Sequence, residues 1–217
     1  MNQEDFATAL RDLGKNYWDG HPFHHRLHNG SLSKEELRRW AANRWYYQSI
    51  LSRKDAAIIA NCPDLDVRRQ WRARIEFHDD GGSQRWLRLC AGLGLSEDEV
   101  LDERHLLPGV RFAVDSYLNF ARTRPWIEAV ASGLTELFSP GLMRRRVADM
   151  RTHYPWLPDG TLDYFTNRIS VAEGGDALEI VLRHCVTPEQ QRAALAALSF
   201  KCDVLWAMLD AIDHGRR

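Results

Sequence analysis

Features that define several other classes of protein are missing from this sequence of 217 residues. Its apolar runs are short, like Ala56 to Ala60, whereas a membrane span needs about 20 residues. Lysine plus arginine (29) and aspartate plus glutamate (30) nearly cancel, for a net charge of −1. Dedicated nucleic-acid and membrane-surface binders normally carry a basic excess. We therefore expect a soluble protein with no nucleic-acid partner and no membrane partner.

Cysteine is scarce, and its distribution argues against a disulfide framework. Cys62, Cys90, Cys185 and Cys202 are far apart, and no C-x-x-C occurs. They are typical of buried free thiols in a reducing compartment. The first ten residues, MNQEDFATAL, lack the basic and apolar regions of an export signal. We expect a cytoplasmic protein.

Strand signals are also nearly absent, and apolar residues instead recur every three or four positions. Capping boxes begin at Ser33 and Ser96, and Pro188 follows Thr187 at the first position of another helix. We predict one all-α domain over residues 1–217. Its predicted helices cover residues 3–16, 34–60, 64–78, 83–93, 109–123, 126–138, 141–152, 160–172 and 188–214.

The informative residues are ionisable side chains inside apolar helical stretches. Lys201, one of only four lysines, lies in ALSFKCDVLW, and burial of an unpaired ammonium costs several kcal/mol. Its side chain either reaches the surface or pairs with Asp203 or Asp210, or else it faces a ligand cavity. Glu136, in GLTELF, likewise needs a cationic or metal partner.

Further polar groups share faces of the predicted helices. Arg44, Tyr47 and Gln48 are spaced by three and four residues, and Tyr164 and Arg168 are four apart. Guanidinium groups bind carboxylates in planar, bidentate pairs, and aromatic rings beside them suit a flat ligand. Together these groups predict a cavity for a small, polyanionic, aromatic ligand.

Histidines appear in two settings. His78 ends a predicted helix in EFHDDGG, where the helix dipole and neighbouring aspartates can hold it protonated, unless it only caps the helix. His21, His24, His25 and His28 crowd HPFHHRLHNG. The proline within that stretch, its loop-like end and the lack of nearby cysteine or H-E-x-x-H argue against a metal site. No Gly-rich phosphate loop or G-x-S-x-G motif occurs either.

The sequence resembles the PqqC family of pyrroloquinoline-quinone (PQQ) synthases over about residues 6 to 212. The stretches that carry the resemblance are HPFHHRLHNG, ANRWYYQ, KDAAIIANCPD, LPGVRFAVDSYLNFAR, SGLTELFSP, HYPWL and LSFKCDVLWAMLDA. The resemblance implies a compact, haem-oxygenase-like (TenA-like) bundle of about seven main helices, usually a homodimer. It also implies an oxidase that needs no cofactor or metal. Such an enzyme performs the final ring closure and O2-dependent oxidation of a ring-open, polycarboxylated quinone precursor to PQQ, and it releases H2O2.

The resemblance also assigns residues. It implies a catalytic group of His78, Tyr164, Arg168 and Lys201, in which the histidine moves protons and Tyr164 and Arg168 border the oxygen pocket. The substrate carboxylates would meet Arg44, Lys54, Arg74, Arg146, Arg168 and Lys201. The ring system would be lined by Tyr47, Gln48, Tyr117, Thr135 and Glu136, with Tyr17 near the entrance. Burial and the like charge of Arg168 should lower the pKa of Lys201.

Four departures from the family pattern keep two alternatives open. Trp18 and Met143 stand where some members have histidine, and the segments HDDGGSQRW and VAEGGDALE are short. One alternative is a carrier that binds the quinone without turnover. The other is a di-iron oxidase of the same fold, which could use Glu136 and His78 as ligands. In that branch, however, Tyr164 and Arg168 would stand at ligand positions, and a guanidinium repels a dication.

Overall fold

The computed structural model describes residues 1–172 and 176–215, and within these ranges it contains helices and no strands. The α-helices are α1 (Gln3–Asp12), α2 (Pro22–His28), α3 (Lys34–Ser49), α4 (Leu51–Asn61), α5 (Leu65–Phe77), α6 (Ser83–Gly92), α7 (Glu97–Leu101), α8 (Pro108–Thr123), α9 (Trp126–Ser132), α10 (Ser139–His153), α11 (Asp163–Ala172), α12 (Asp176–His184) and α13 (Pro188–His214). Short 3-10 segments cover Leu13–Asn16, Trp18–Gly20 and Gly133–Phe138, and a π-helical turn covers His78–Gly82. The all-α prediction is confirmed. Residues 173–175 of the short segment VAEGGDALE lie outside the described residues.

Two of the predicted helices do not continue as the sequence suggests. The helix predicted over residues 34–60 is α3 and α4, which meet at Ile50, where the backbone N–H bonds to the carbonyl of Gln48. The second half of the helix predicted over 126–138 is the 3-10 segment Gly133–Phe138. Apolar periodicity runs through both breaks without a proline, so local sequence gives no signal for them.

Three helices lie outside the predicted ranges: α2, α7 and α12, although the capping box at Ser96 was predicted. In α2, Pro22 occupies the first position, where a missing N–H costs nothing, and His21 caps the helix by accepting from the Phe23 N–H (3.0 Å). In α7, the capping box at Ser96 opens a helix of only five residues. Helices this short carry too little periodicity to stand out from a loop.

The core centres on α13, which packs against α8 and α9. One apolar cluster contains Trp40, Trp86 and Phe165, and a second contains Trp71 and Leu198. All five side chains are at most 1% exposed, and full burial of each contributes about 1.5–3 kcal/mol or more. The same packing buries polar residues of α3, α4 and α13, and several of them contribute to the site described below.

Two further observations concern the cysteines and the apolar character of the helices. All four cysteines are buried free thiols, and burial raises the pKa of Cys90 to about 12 and that of Cys185 to about 11, so at neutral pH both stay as thiols. Across the described part of the chain, no helix combines the length and the apolar character needed to cross a membrane.

Candidate active site

An internal cavity collects most of the polar residues that the sequence singles out. Its wall is formed by Tyr17, Trp18, Arg44, Tyr47, Leu51, Lys54, Asp55, Arg74, His78, Tyr117, Gly133, Thr135, Glu136, Ser139, Met143, Tyr164, Arg168 and Leu205. All the predicted site residues are on this wall except Gln48, Arg146 and Lys201. Those three are at most 2% exposed and lie behind it. Gln48 contacts two residues of the wall, His78 and Tyr164, and its assignment to the ring system stays a prediction.

His78 reaches the cavity from the π-helical turn that follows α5. Inside the turn, Gly81 has φ 128°, a value that favours glycine. The turn ends at Gly82, where an added Cβ would lie 2.8 Å from the backbone oxygen of Phe77. The turn is kinked, with non-helical backbone angles at Asp80 and Gly81, and its path depends on the two glycines.

We expect Gly82→Ala to destabilise the protein by about 1–3 kcal/mol, because the new methyl group must push a backbone oxygen away. The matched control is Gly141→Ala in the first turn of α10, where a Cβ meets nothing within 4 Å. That substitution should be neutral or stabilise by about 0.4–1 kcal/mol. Urea unfolding measures both, and equal stability of the two variants would contradict the role given to Gly82.

Gln48 connects His78 to Tyr164. The Tyr164 hydroxyl donates to Oε1 of Gln48 (2.7 Å), and Nε2 of Gln48 donates to Nδ1 of His78 (3.2 Å). With Nδ1 occupied, Nε2 is the imidazole nitrogen left for a ligand. All three side chains are at most 3% exposed, so water does not compete for these bonds.

The expectation that His78 is held protonated is wrong. Burial, together with the positive charges of Arg168, Lys54, Arg74 and Arg44, lowers its pKa to about 2. The neighbouring Asp79 does not offset this, because it is exposed and accepts a hydrogen bond from the Ser52 hydroxyl (2.5 Å). His78 is therefore a neutral imidazole at physiological pH.

Arg74 and Glu136 form a bidentate ion pair on the cavity wall. Two nitrogens of Arg74 contact the two carboxylate oxygens of Glu136 at 2.5 and 2.8 Å, and one also contacts Asp176 at 2.6 Å. Burial lowers the pKa of Arg74, but the bonds to Glu136 outweigh it and hold the pKa above its usual value. Glu136 thus has the cationic partner that the sequence required, and Arg74 is already neutralised.

Lys54 is paired as well, with a residue that the sequence interpretation did not assign to the site. Its Nζ contacts Oδ1 of Asp55, which also accepts from the indole N–H of Trp71 (2.8 Å). Asp55 is 1% exposed. An aspartate directly before the apolar run AAIIA was the available signal, since buried carboxylates need partners.

Arg44 is surrounded by aromatic rings instead of carboxylates. Its guanidinium carbon lies 4.1 Å from the ring centre of Tyr47, 5.3 Å from that of Trp86 and 5.4 Å from that of Trp18. It is 7% exposed, and one of its terminal nitrogens has no hydrogen-bond partner in the described parts of the chain. Arg168 likewise faces a ring, that of Phe77 at 5.5 Å. These two cations remain available to an anionic ligand.

The Nζ of Lys201 lies between the nearly parallel rings of Tyr47 and Tyr117. Its Nζ donates to the Tyr47 hydroxyl (2.7 Å) and lies 3.4 Å from the ring centre of Tyr117, and the two rings are 6° from parallel. It neither reaches the surface nor pairs with Asp203 or Asp210. Burial, then the charges of Lys54 and Arg44, hold its pKa well below the usual value. The predicted direction is confirmed, although the main like charges are not that of Arg168.

Arg146 is held by one of the crowded histidines. It donates to Nε2 of His24 (2.9 Å), whose Nδ1 donates to the carbonyl of Trp18 (2.8 Å). His21 pairs with Asp210 (3.1 Å) and His28 with Asp149 (2.7 Å). These histidines join protein groups to each other. Within the described ranges, no group of three or more His, Cys, Asp or Glu side chains is placed to hold a metal ion.

We expect the protein to lose stability in acid through its buried histidines. Burial holds the pKa of His24 well below 6.5, and that of His78 is about 2. Between these values and 6.5 the unfolded chain binds more protons, so the free energy of unfolding falls as pH falls, by up to about 1.4 kcal/mol per pH unit per histidine. Urea unfolding at pH 7 and pH 5 measures the loss. A His78→Gln variant should show a shallower slope, and an unchanged slope would contradict this account.

Comparisons with known proteins agree with the fold and the resemblance. The sequence pattern of the TENA/THI-4/PQQC family matches residues 7–211. A pyrroloquinoline-quinone synthase of Acidiphilium cryptum is 48% identical over 99% of this chain and 91% of its own length. The bifunctional coenzyme PQQ synthesis protein C/D of Methylorubrum extorquens is 47% identical over 98% of this chain, which spans 59% of that longer protein.

A solved structure adds the fold. A domain with a heme oxygenase-like fold from Shewanella denitrificans superposes with a TM-score of 0.80 at 14% identity, covering 99% of this chain and 93% of that one. The fold is therefore haem-oxygenase-like, as predicted. The chain belongs to the TENA/THI-4/PQQC family.

Proposed function

We propose that the protein is a pyrroloquinoline-quinone synthase. It closes the last ring of a ring-open, polycarboxylated PQQ precursor and oxidises it with O2, releasing H2O2. The observation that carries this proposal is the 48% identity, over 99% of the chain, with the synthase of Acidiphilium cryptum. As part of the proposal, residues 1–217 form one domain, the protein is cytoplasmic and it pairs as a homodimer, which light scattering on the 25.1 kDa chain tests.

The cavity wall supports recognition of such a precursor. Arg44 and Arg168 carry charges that no carboxylate of the described residues neutralises, and carboxylates on a ligand can bind them bidentately. The stacked Tyr47 and Tyr117 present flat apolar surface beside these cations. Arg74 and Lys54 can serve the ligand only in competition with Glu136 and Asp55. We assign the carboxylates first to Arg44 and Arg168.

The chemistry needs proton transfer and charge stabilisation. A reduced quinol precursor is itself the electron donor, and each O2 that becomes H2O2 takes two electrons and two protons from it. His78, neutral and with Nε2 available, exchanges protons with the ligand, and Tyr164 lies at the other end of the same hydrogen-bond chain. The surrounding cations stabilise the negative charge that develops on oxygen.

Glu136 disfavours the di-iron alternative. Both of its carboxylate oxygens accept hydrogen bonds from Arg74, so the residue most suited to bridge two metals is already committed to a guanidinium. The titration described next distinguishes the carrier from the oxidase.

The test is an anaerobic optical titration with the ring-open precursor, in protein stripped of metal, followed by addition of O2. A spectral change on binding, then formation of PQQ with oxygen uptake and H2O2 release, supports the synthase. Tight stoichiometric binding with no reaction on adding O2 supports the carrier and overturns the synthase proposal. Dependence of turnover on added iron would support the di-iron oxidase instead.

A further inference from the structure

Gln48 occupies an unusual position for a residue of this site, because it contacts two cavity-lining side chains without lining the cavity itself. It is 1% exposed. Its amide joins the hydroxyl of Tyr164 at 2.7 Å to Nδ1 of His78 at 3.2 Å. The Tyr164 ring is held in place by edge contacts with Trp86 and Phe165, at ring-centre distances of 4.8 and 5.4 Å. The three polar groups therefore form a chain with fixed ends.

Two hydrogen-bond patterns satisfy the same heavy-atom positions, because an amide offers an acceptor at one end and a donor at the other. In the first, Tyr164 donates to Gln48, which donates to Nδ1 of His78, so Nε2 carries the imidazole proton. In the second, the amide is turned by half a turn, His78 donates from Nδ1, and Gln48 donates to the Tyr164 oxygen. In that pattern Nε2 has a free lone pair, and the Tyr164 proton is free to point into the cavity.

We infer that Gln48 is a positioning residue that keeps the roles of His78 and Tyr164 complementary. Whenever one of them offers a proton to the cavity, the other offers a lone pair. A single amide enforces this relation, since its donor and acceptor ends cannot face the same way. The inference rests on the proposed function for its consequence: an oxidation that removes protons from one molecule and delivers them to O2 needs a base and an acid together.

The charges around the histidine leave both patterns accessible. Burial and four cations from four helices act against an imidazolium: Arg44 of α3, Lys54 of α4, Arg74 of α5 and Arg168 of α11. His78 therefore carries a single ring proton, which either nitrogen can hold. A phenol is a better donor than acceptor, and therefore Tyr164 favours the first pattern. Removal of its hydroxyl should shift the imidazole proton from Nε2 towards Nδ1.

This shift can be observed without substrate. In protein labelled with ¹⁵N-histidine, His78 is assigned as the signal missing from a His78→Ala variant. We expect Tyr164→Phe to raise the fraction of His78 that is protonated at Nδ1, and we expect the same change to have no effect in a Gln48→Met background. The inference is overturned if Tyr164→Phe leaves the His78 nitrogens unchanged, or if it shifts them equally when residue 48 is methionine.

A kinetic measurement is the second test of this inference. Gln48→Met should lower turnover of the precursor by about 10-fold or more, because proton transfer by positioned groups contributes about 10²–10⁴-fold, while anaerobic binding of the precursor should change by less than about threefold. The control is Gln191→Met, the same substitution at a buried glutamine whose side-chain amide bonds only to Met1 in the described structure. It should leave both quantities unchanged.

Failure of this inference and failure of the proposed function give different results. If the unmodified protein does not convert the precursor, the proposed function fails, and the NMR comparison still decides whether Gln48 couples the two residues. If turnover occurs and Gln48→Met retains it in full, the catalytic consequence is overturned while the synthase proposal stands.

Discussion

Replacement of His78 by alanine is expected to lower turnover of the precursor by about 100- to 10,000-fold, the usual contribution of a positioned acid or base. Anaerobic binding of the precursor should change by less than about threefold, because a neutral imidazole contributes no charge to the recognition of carboxylates. Stopped-flow measurements after O2 addition give turnover, and the anaerobic titration gives binding.

The matched control for this experiment is His214→Ala, at an exposed histidine in the last turn of α13. It should leave both turnover and binding unchanged. A parallel loss of turnover and binding in His78→Ala would assign His78 to ligand binding or to the structure of the π-helical turn. Circular dichroism distinguishes these two outcomes, since only the second is expected to alter the fold.

Lys201→Met is expected to make the protein more stable and less active. The ammonium of Lys201 is 1% exposed, contacts a hydroxyl and two aromatic rings, and has no carboxylate partner among the described residues. Replacement of a buried ion pair by apolar side chains of similar volume is often neutral or stabilises by about 1–4 kcal/mol, and we expect a gain of the same order for this ammonium. Loss of the positive charge should at the same time weaken stabilisation of reduced oxygen, by about 10²–10³-fold in turnover.

The stability gain expected for Lys201→Met depends on pH, in a direction set by the pKa of Lys201. The folded-state pKa of Lys201 lies well below 10.5, its value in the unfolded chain. Between these two pKa values the unfolded chain binds more protons than the folded protein, so the free energy of unfolding rises with pH. The advantage of Lys201→Met should therefore be largest at neutral pH and shrink as pH approaches 10.5. Urea unfolding at pH 7 and pH 10 measures it, with Lys34→Met as the surface control. A destabilised variant at pH 7 would show that Lys201 contributes to the fold.

The contrast between Arg44 and Arg74 shows how much of the site the sequence could predict. Both are arginines on predicted helices, and both were assigned to substrate carboxylates. Only packing shows that Arg74 is neutralised by Glu136 and Asp176, 62 and 102 residues away in the chain, while Arg44 faces rings. Residue type predicts that a charge exists, but its partner depends on contacts between distant segments.

The sequence by itself determined what depends on neighbouring residues. The helix starts at Ser33 and Ser96 are capping boxes as predicted, because a cap is made by side chains and backbone within four positions. The all-α class follows from the same short-range periodicity. The sequence singled out Lys201, because an ammonium within an apolar helix is costly to bury whatever surrounds it, but it left open whether that side chain reaches the surface, pairs with a carboxylate or faces a cavity.

Tertiary structure alone decided the break of the long helix at Ile50, the neutral state of His78 and the place of Gln48 behind the cavity wall. The last two result from groups far apart in sequence: burial and four cations from four helices set the charge of His78, and Tyr164, 116 positions from Gln48, completes its hydrogen bonds. Burial removes water as a competing partner, so the protonation and orientation of each group depend on whichever side chains the fold brings within reach.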